Sequence, residues 1–208
     1  MLSLVYRSTL GLAFSALASL SLAGSIFLTG HDPDFHATLG GNTAGAQHIN
    51  QVAIAYTMDP VFNPFVAGGA TKFLFVESNI AVPGGHTVGK NGIIASGYAE
   101  GTAFDHHDAT TLNAALNGLG TMYGGIVIAS DFGGILTQAE LDILNLRKGD
   151  IINFLNAGGG LYAMSESNSG AHLTPNGGQY GFQPIVATSL NLDIVALHTL
   201  EADTDAAL

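Results

Sequence analysis

Four short apolar runs, each closed by a turn or a polar loop and separated by helix-like stretches, leave this chain few folds to choose from. Ser25 to Thr29 (SIFLT), Lys72 to Val76 (KFLFV), Gly125 to Ser130 (GIVIAS) and Leu161 to Met164 (LYAM) are short and nearly continuous in apolar character. That is the pattern of strands buried on both faces. Between the first two, Ala46, Ile49, Ala53 and Tyr56 recur at three- and four-residue intervals and Asp59-Pro60 closes the segment, which predicts a helix over residues 43–58. Asn79 to Gly101 is Gly-rich without strong periodicity and reads as loop.

Asp108 is placed to cap a helix running through Leu112, Ala115, Leu116 and Leu119, with Gly118 and Gly120 near its end. Thr137 and Glu140 form the T-x-x-E pattern of a capping box, and Leu141, Leu144, Ile151, Ile152 and Leu155 give the helix behind it a buried face that Gly149 kinks or divides. Pro184 to Thr188 is a candidate fifth strand. Strand and helix alternating in this way predict an α/β domain: a three-layer, flavodoxin-like, doubly wound and mostly parallel sheet with right-handed crossovers. In such sheets ligands gather at the carboxyl ends of the strands, and TGHDPDFH, VESN, ASDFGG and MSESNSG all leave strands at that edge.

Length and composition are consistent with one such domain. The 208 residues are 47% hydrophobic, enough for a single core. With 5 Lys+Arg against 16 Asp+Glu, a net charge of -11 and no basic cluster, neither nucleic acid nor an anionic lipid surface is an expected partner. The absence of cysteine excludes disulfides, thiolate nucleophiles and cysteine-ligated metals.

The start of the chain predicts export. MLSLVYRSTLGLAFSALASLSLAGS carries one base, Arg7, ahead of a Leu- and Ala-rich stretch and then small residues, the order of a signal peptide over residues 1–24. Cleavage is expected after Ala23 or Gly24, with Ser21 and Ala23 as the small residues before the cut. The rival is an uncleaved anchor, because Leu10 to Leu28 has no charge and is long enough to span a bilayer. Cleavage is preferred because Ile26 to Leu28 are needed as a strand. The mature domain, residues 25–190, is then secreted, periplasmic or at the cell surface, with no membrane association. Residues 191–208 form a patternless tail, as in a piece of something longer.

The run YGGIVIASDFGG, then LTQAELDILN, then IINFLNAGGGLYAMSES resembles the class I glutamine amidotransferase-like superfamily, particularly its trehalose-utilisation-type branch. The likeness covers about residues 123 to 167 and extends to about 25 to 78. It implies the flavodoxin-like fold. In the amidotransferases the strand after the GGG-type turn leads to a nucleophile elbow carrying cysteine. Here the elbow reads Met164-Ser165-Glu166-Ser167, and no His-x-Glu pair stands near the C-terminus, so the resemblance does not bring amidotransferase activity with it.

Three clusters at the predicted rim carry candidate chemistry. In TGHDPDFH, His31, Asp32, Asp34 and His36 offer imidazole and carboxylate together, as a divalent-metal or sugar-binding loop would. The plainer reading is a turn, with aspartate accepting backbone N–H bonds and proline fixing φ. In FDHHDATTL, Asp105 and His106 could join a residue of that octet in a mixed His/Asp metal set, against a capping role for Asp108 and loop hydrogen bonding for the others. In MSESNSG, Ser165 or Glu166 could act as nucleophile or base, although Ala163 and Ser167 stand where a hydrolase elbow has glycines.

Glu77 at the end of the second strand and His172 in SGAHLTPNGG are further ligand-contact candidates, against a strand-end acid and an ordinary exposed histidine. The preferred function is recognition of a small polar or carbohydrate ligand, or a structural role outside the cytoplasm. The alternative is a metal-assisted hydrolase in which a bound divalent cation activates water and Glu166 or Asp131 takes the proton.

Overall fold

A computed structural model describes residues 24–81, 88–130 and 135–164. Its strands are β1 (Ile26–Thr29), β2 (Lys72–Val76), β3 (Phe104–His107), β4 (Tyr123–Ile128) and β5 (Gly160–Met164). They form one sheet in the order β1-β5-β4-β2-β3, every pair parallel. The helices are α1 (Pro33–His36), α2 (Thr43–Thr57), α3 (Pro64–Ala67), α4 (Gly89–Ala95), α5 (Leu112–Ala115), α6 (Gln138–Leu146) and α7 (Lys148–Asn156).

Side chains alternate across each strand, so the sheet feeds two cores. Leu74, Val76, Ile126, Ile128, Leu161 and Ala163 pack against Leu112 of α5, Leu141 and Leu144 of α6, and Ile151 and Leu155 of α7. Phe73, Phe75, Phe104, Val127, Tyr162 and Met164 pack on the other face against Ala53 and Ile54 of α2 and Ile93 of α4. This is the expected three-layer, doubly wound arrangement. Connections stepping toward β1 carry their main helices on the first face, and those stepping away carry them on the second. All four crossovers therefore share one hand, as expected for parallel strands.

The strand order is flavodoxin-like with a cyclic shift. If β2, β3, β4 and β5 are taken as the first four strands of a 2-1-3-4-5 sheet, the fifth place is filled by β1. The chain reverses its direction of travel at β3, so the topological switch point lies between the carboxyl ends of β2 and β4.

Four expectations need correction. FDHH is the edge strand β3 instead of a loop, because Phe104 stacks on the ring of Phe73, meets that of Phe75 edge-on and so pins the segment to β2. The Gly-rich stretch before it contains α4, whose glycines serve close packing. The helix after Asp108 is one short turn, α5, followed by a 3-10 turn over Leu116–Gly118. Its N-cap is Thr111, and the Asp108 carboxylate instead accepts from the N–H of Thr110 at 3.0 Å in the preceding turn. On α2, Ile49 and Tyr56 are exposed while Asn50, Ile54 and Thr57 are buried, so its inward face is turned from the expected one and is partly polar.

The capping box at Thr137 and Glu140 is present, and the long helix behind it divides at Arg147 into α6 and α7. Glu140 also accepts from the N–H of Ala109 at 2.9 Å, tying the start of α6 to the segment after β3. The expected strand at Pro184–Thr188, the residues before Gly24 on which the export signal is expected and the tail from Asn191 lie outside the described residues.

Candidate functional site

The octet TGHDPDFH folds as a turn and one helical turn. The Thr29 hydroxyl donates to the His31 carbonyl at 2.9 Å, Pro33 supplies the preset φ of a first helical position, and α1 follows. The four polar side chains then diverge. Asp34 points into the protein, fully buried, where its carboxylate accepts from the Ser130 hydroxyl at 2.9 Å and from the N–H of Ser130 and of Phe35 at 3.1 and 3.0 Å. His36 donates from Nδ1 to the Leu39 carbonyl at 3.1 Å and faces the buried Asp32 carboxylate through Nε2 at 3.3 Å.

Glu77, one residue past β2, is also fully buried. Its carboxylate accepts from the N–H of Gly89, of Lys90 at 2.9 Å and of Ile135 at 3.1 Å. It thus holds the start of α4 and the segment before α6 against the switch point. A side chain at Gly89 would meet the carboxylates of Asp34 and Glu77 together, and one at Gly92 would run into the Asp34 carbonyl. The two glycines are what allow α4 to lie against α1.

Burial raises both carboxyls: Asp34 to about 6, despite its bonds from Ser130, and Glu77 to about 7, with the negative charge of Asp34 adding to the rise. A buried polar chain underlies this pair. The Tyr162 hydroxyl donates to the Asn50 side chain at 2.8 Å, and Asn50 donates to the Pro33 carbonyl at 3.0 Å and the Ser96 hydroxyl at 3.1 Å.

On β3 the strand period separates the two metal candidates. His106 lies on the face of Phe75, its ring centroid 5.9 Å from that ring, and donates from Nε2 to the Glu77 carbonyl at 2.9 Å. Asp105 lies on the opposite face, where it accepts from Lys72 Nζ at 2.9 Å and from the Tyr123 hydroxyl at 3.2 Å. The Tyr123 oxygen in turn accepts from His107 Nε2 at 3.1 Å. Asp105 and His106 therefore point away from each other and cannot share an ion. His31 follows β1 and His106 belongs to β3, the two outer strands, four strand spacings or about 19 Å apart across the sheet. Among the described residues, no group of three or more His, Asp or Glu side chains is placed to hold a metal.

What the octet does shape is a hollow of about 310 Å³ outside the carboxyl end of β1. His31, Pro33 and His36 form one wall, and Gly41, Asn42, Gly45, Ala46 and Ile49, at the start of α2, form the other. Asn42 caps α2 by accepting from the N–H of Gly45 at 2.9 Å. Gly40, at φ 106°, makes the reversal between the two walls and stacks under the His36 ring, where a side chain would collide.

Of the other candidates, Asp131, Ser165, Glu166 and His172 lie outside the described residues. Sequence reasoning did not find the partners that define the site: Ser130, the amides of Gly89, Lys90 and Ile135, and Asn42. The one local signal was the G-x-x-G spacing of Gly89 and Gly92, which marks a close backbone approach.

Compared with known proteins, the chain has no significant match to a family model, a curated protein or a solved structure. Among the described residues no helix is long and apolar enough to cross a membrane.

Proposed function

We propose that the chain is an exported α/β domain that binds a small polar ligand of carbohydrate type, and that the ligand sits in the hollow between His31, His36 and the start of α2. The observation that carries this reading is the hollow itself. Its volume of about 310 Å³ falls at the lower end of small-molecule sites, which suits one sugar unit. Its wall sets imidazole and amide groups beside Pro33, Ala46 and Ile49, and a sugar ring likewise has hydroxyl edges and an apolar face. The hollow lies at the carboxyl edge of the parallel sheet, the side on which ligands of this architecture bind, beside β1 and away from the switch point.

The likeness to the amidotransferase-like superfamily belongs to the same proposal as an account of the fold. Export fits the cut after Ala23 better than the cut after Gly24, because the Gly24 N–H donates to the Leu155 carbonyl at 2.8 Å and is worth keeping with the domain. A metal-assisted reaction is not carried forward, since no donor set among the described residues supports it.

The test is a titration of the full chain with neutral monosaccharides, disaccharides and sugar acids, followed by calorimetry and by the ring resonances of His31 and His36. Binding of at least one class is expected, with those two rings shifting and His31→Ala weakening it about tenfold, the effect of one lost hydrogen-bonding group. No heat and no shift at millimolar concentrations of every class would overturn the reading.

A further inference from the structure

The Asp34 and Glu77 pair does not line the ligand hollow, and it has a feature that ordinary structural carboxylates lack: two fully buried acids face each other across Gly89 with no cation between them among the described residues. Each accepts three hydrogen bonds, and with their own two segments the acids join five places in the fold. Asp34 belongs to α1 and holds the end of β4 through Ser130. Glu77 follows β2 and holds α4 through Gly89 and Lys90 and the approach to α6 through Ile135.

Among the described residues, the charged and titratable groups packed around the pair do not neutralise it. Lys90, on α4, turns its ammonium away to Glu100 at 3.3 Å, and Lys72 is committed to Asp105 at 2.9 Å on the other face of the sheet. From β3, His106 gives its Nε2–H to the Glu77 carbonyl, and burial lowers its own affinity for a further proton. From β5, Tyr162 brings a neutral hydroxyl already given to Asn50. From α1 itself, Asp32 and His36 face each other at 3.3 Å. The α2 and β4 sides present the uncharged Asn50 and Ser130. Burial disfavours the charge on each acid, and the negative charge of Asp34 adds to the cost at Glu77, so the pair holds one proton over a range in which isolated acids would both be ionised.

We propose that Asp34 and Glu77 form a one-proton clasp: with a single charge it locks α1, α4 and the strand ends into one rim, and loss of the last proton loosens that rim. The clasp is independent of what the hollow binds. It predicts a rim that is tight in mild acid and opens as the solution becomes alkaline, and it makes the amides of Gly89, Lys90, Ser130 and Ile135 the reporters.

The experiment is a carbon-13 titration of the side-chain carboxyls in the full chain, paired with amide exchange corrected for its intrinsic pH dependence. Glu77 is expected to be half-protonated near 7 and Asp34 near 6, and Asp34→Asn is expected to lower the Glu77 midpoint. Protection of the four reporter amides should fall by about tenfold or more across the Glu77 midpoint beyond any fall shared by the amides of α7, and Glu77→Gln should abolish that excess. Ordinary midpoints for both acids, or reporter protection that does not change with pH, would overturn the clasp. Should Glu77→Gln fail to fold, the wild-type titration and exchange still decide.

Discussion

Asp34 and Ser130 stand 96 positions apart in the chain, yet the Asp34 carboxylate accepts both the hydroxyl and the N–H of Ser130, at 2.9 and 3.1 Å, with both residues fully buried. Because β5 lies between β1 and β4, this contact draws α1 inward over the end of β5 to the centre of the sheet. It fixes one wall of the hollow from below, since Asp34 and His36 share the same helical turn.

Replacing that carboxylate leaves buried donors without an acceptor. Asp34→Ala strands the Ser130 N–H and hydroxyl, and urea unfolding should show a loss on the order of 3 kcal/mol or more. Ser130→Ala removes one bond while the backbone N–H of residue 130 still donates, so its cost should be closer to about 1 kcal/mol. Equal losses for the two variants would mean that Asp34 does not organise the rim.

The raised carboxyls give stability a definite slope. A carboxyl whose folded pKa lies above its unfolded one binds protons more tightly in the native state, so its contribution is complete below the unfolded value and is lost as pH rises through the folded value. For Glu77 that window runs from 4.5 to about 7 and for Asp34 from 3.8 to about 6. His106 and His107 act in the opposite sense, because burial lowers them and acid must charge them at a cost. They are less buried than the acids, so the acids should dominate. The unfolding free energy from urea titrations should fall from about pH 5 to about pH 7.5 by an amount on the order of 3 kcal/mol, and Glu77→Gln should flatten most of that fall.

The sheet was legible because β2, β4 and β5 are buried on both faces, and KFLFV, GIVIAS and LYAM show it without a partner in view. The edge strand β3 was hidden because its outer positions are polar: of FDHH only Phe104 is fully buried, and the rest reads as a loop until Phe73 and Phe75 are known to pack against that ring. Once FDHH is a strand, the divergence of Asp105 and His106 follows from the two-residue period. α4 was hidden by its glycines, which signal turns in isolation but here admit Asp34 and Glu77. The octet TGHDPDFH announced a turn rich in donors. Nothing local could say that Asp34 belongs to Ser130, because a hydrogen bond across half the chain leaves no pattern in either neighbourhood.

Gly92 tests the close approach of α4 to α1. A Cβ there would overlap the Asp34 backbone carbonyl, and backbone cannot swing aside as a flexible side chain can. Gly92→Ala should destabilise the domain by about 2–3 kcal/mol in urea unfolding, despite the higher helix propensity of alanine. Gly149→Ala, in α7 with open space around it, should by contrast be neutral or stabilise by up to about 1 kcal/mol.

The polar chain on the outer face of β3 makes a separate prediction, because Tyr123 lies in it between an acid and an imidazole. The Tyr123 hydroxyl donates to Asp105, and its ionisation would place a second negative charge beside that carboxylate. Burial first, and then Asp105, push it up to about 12. Tyrosinate absorbance should therefore include a late step from Tyr123 as pH increases. Tyr123→Phe should remove a late step and cost only about 1 kcal/mol, since Asp105 keeps Lys72 and the freed His107 nitrogen lies near solvent. Lys72→Met should cost more than Tyr123→Phe if the lysine holds the Asp105 charge, and the two losses should fail to add in the double variant because both partners share one carboxylate. Strict additivity would show that the two contacts act independently and that β3 is held to the sheet by Phe104 alone.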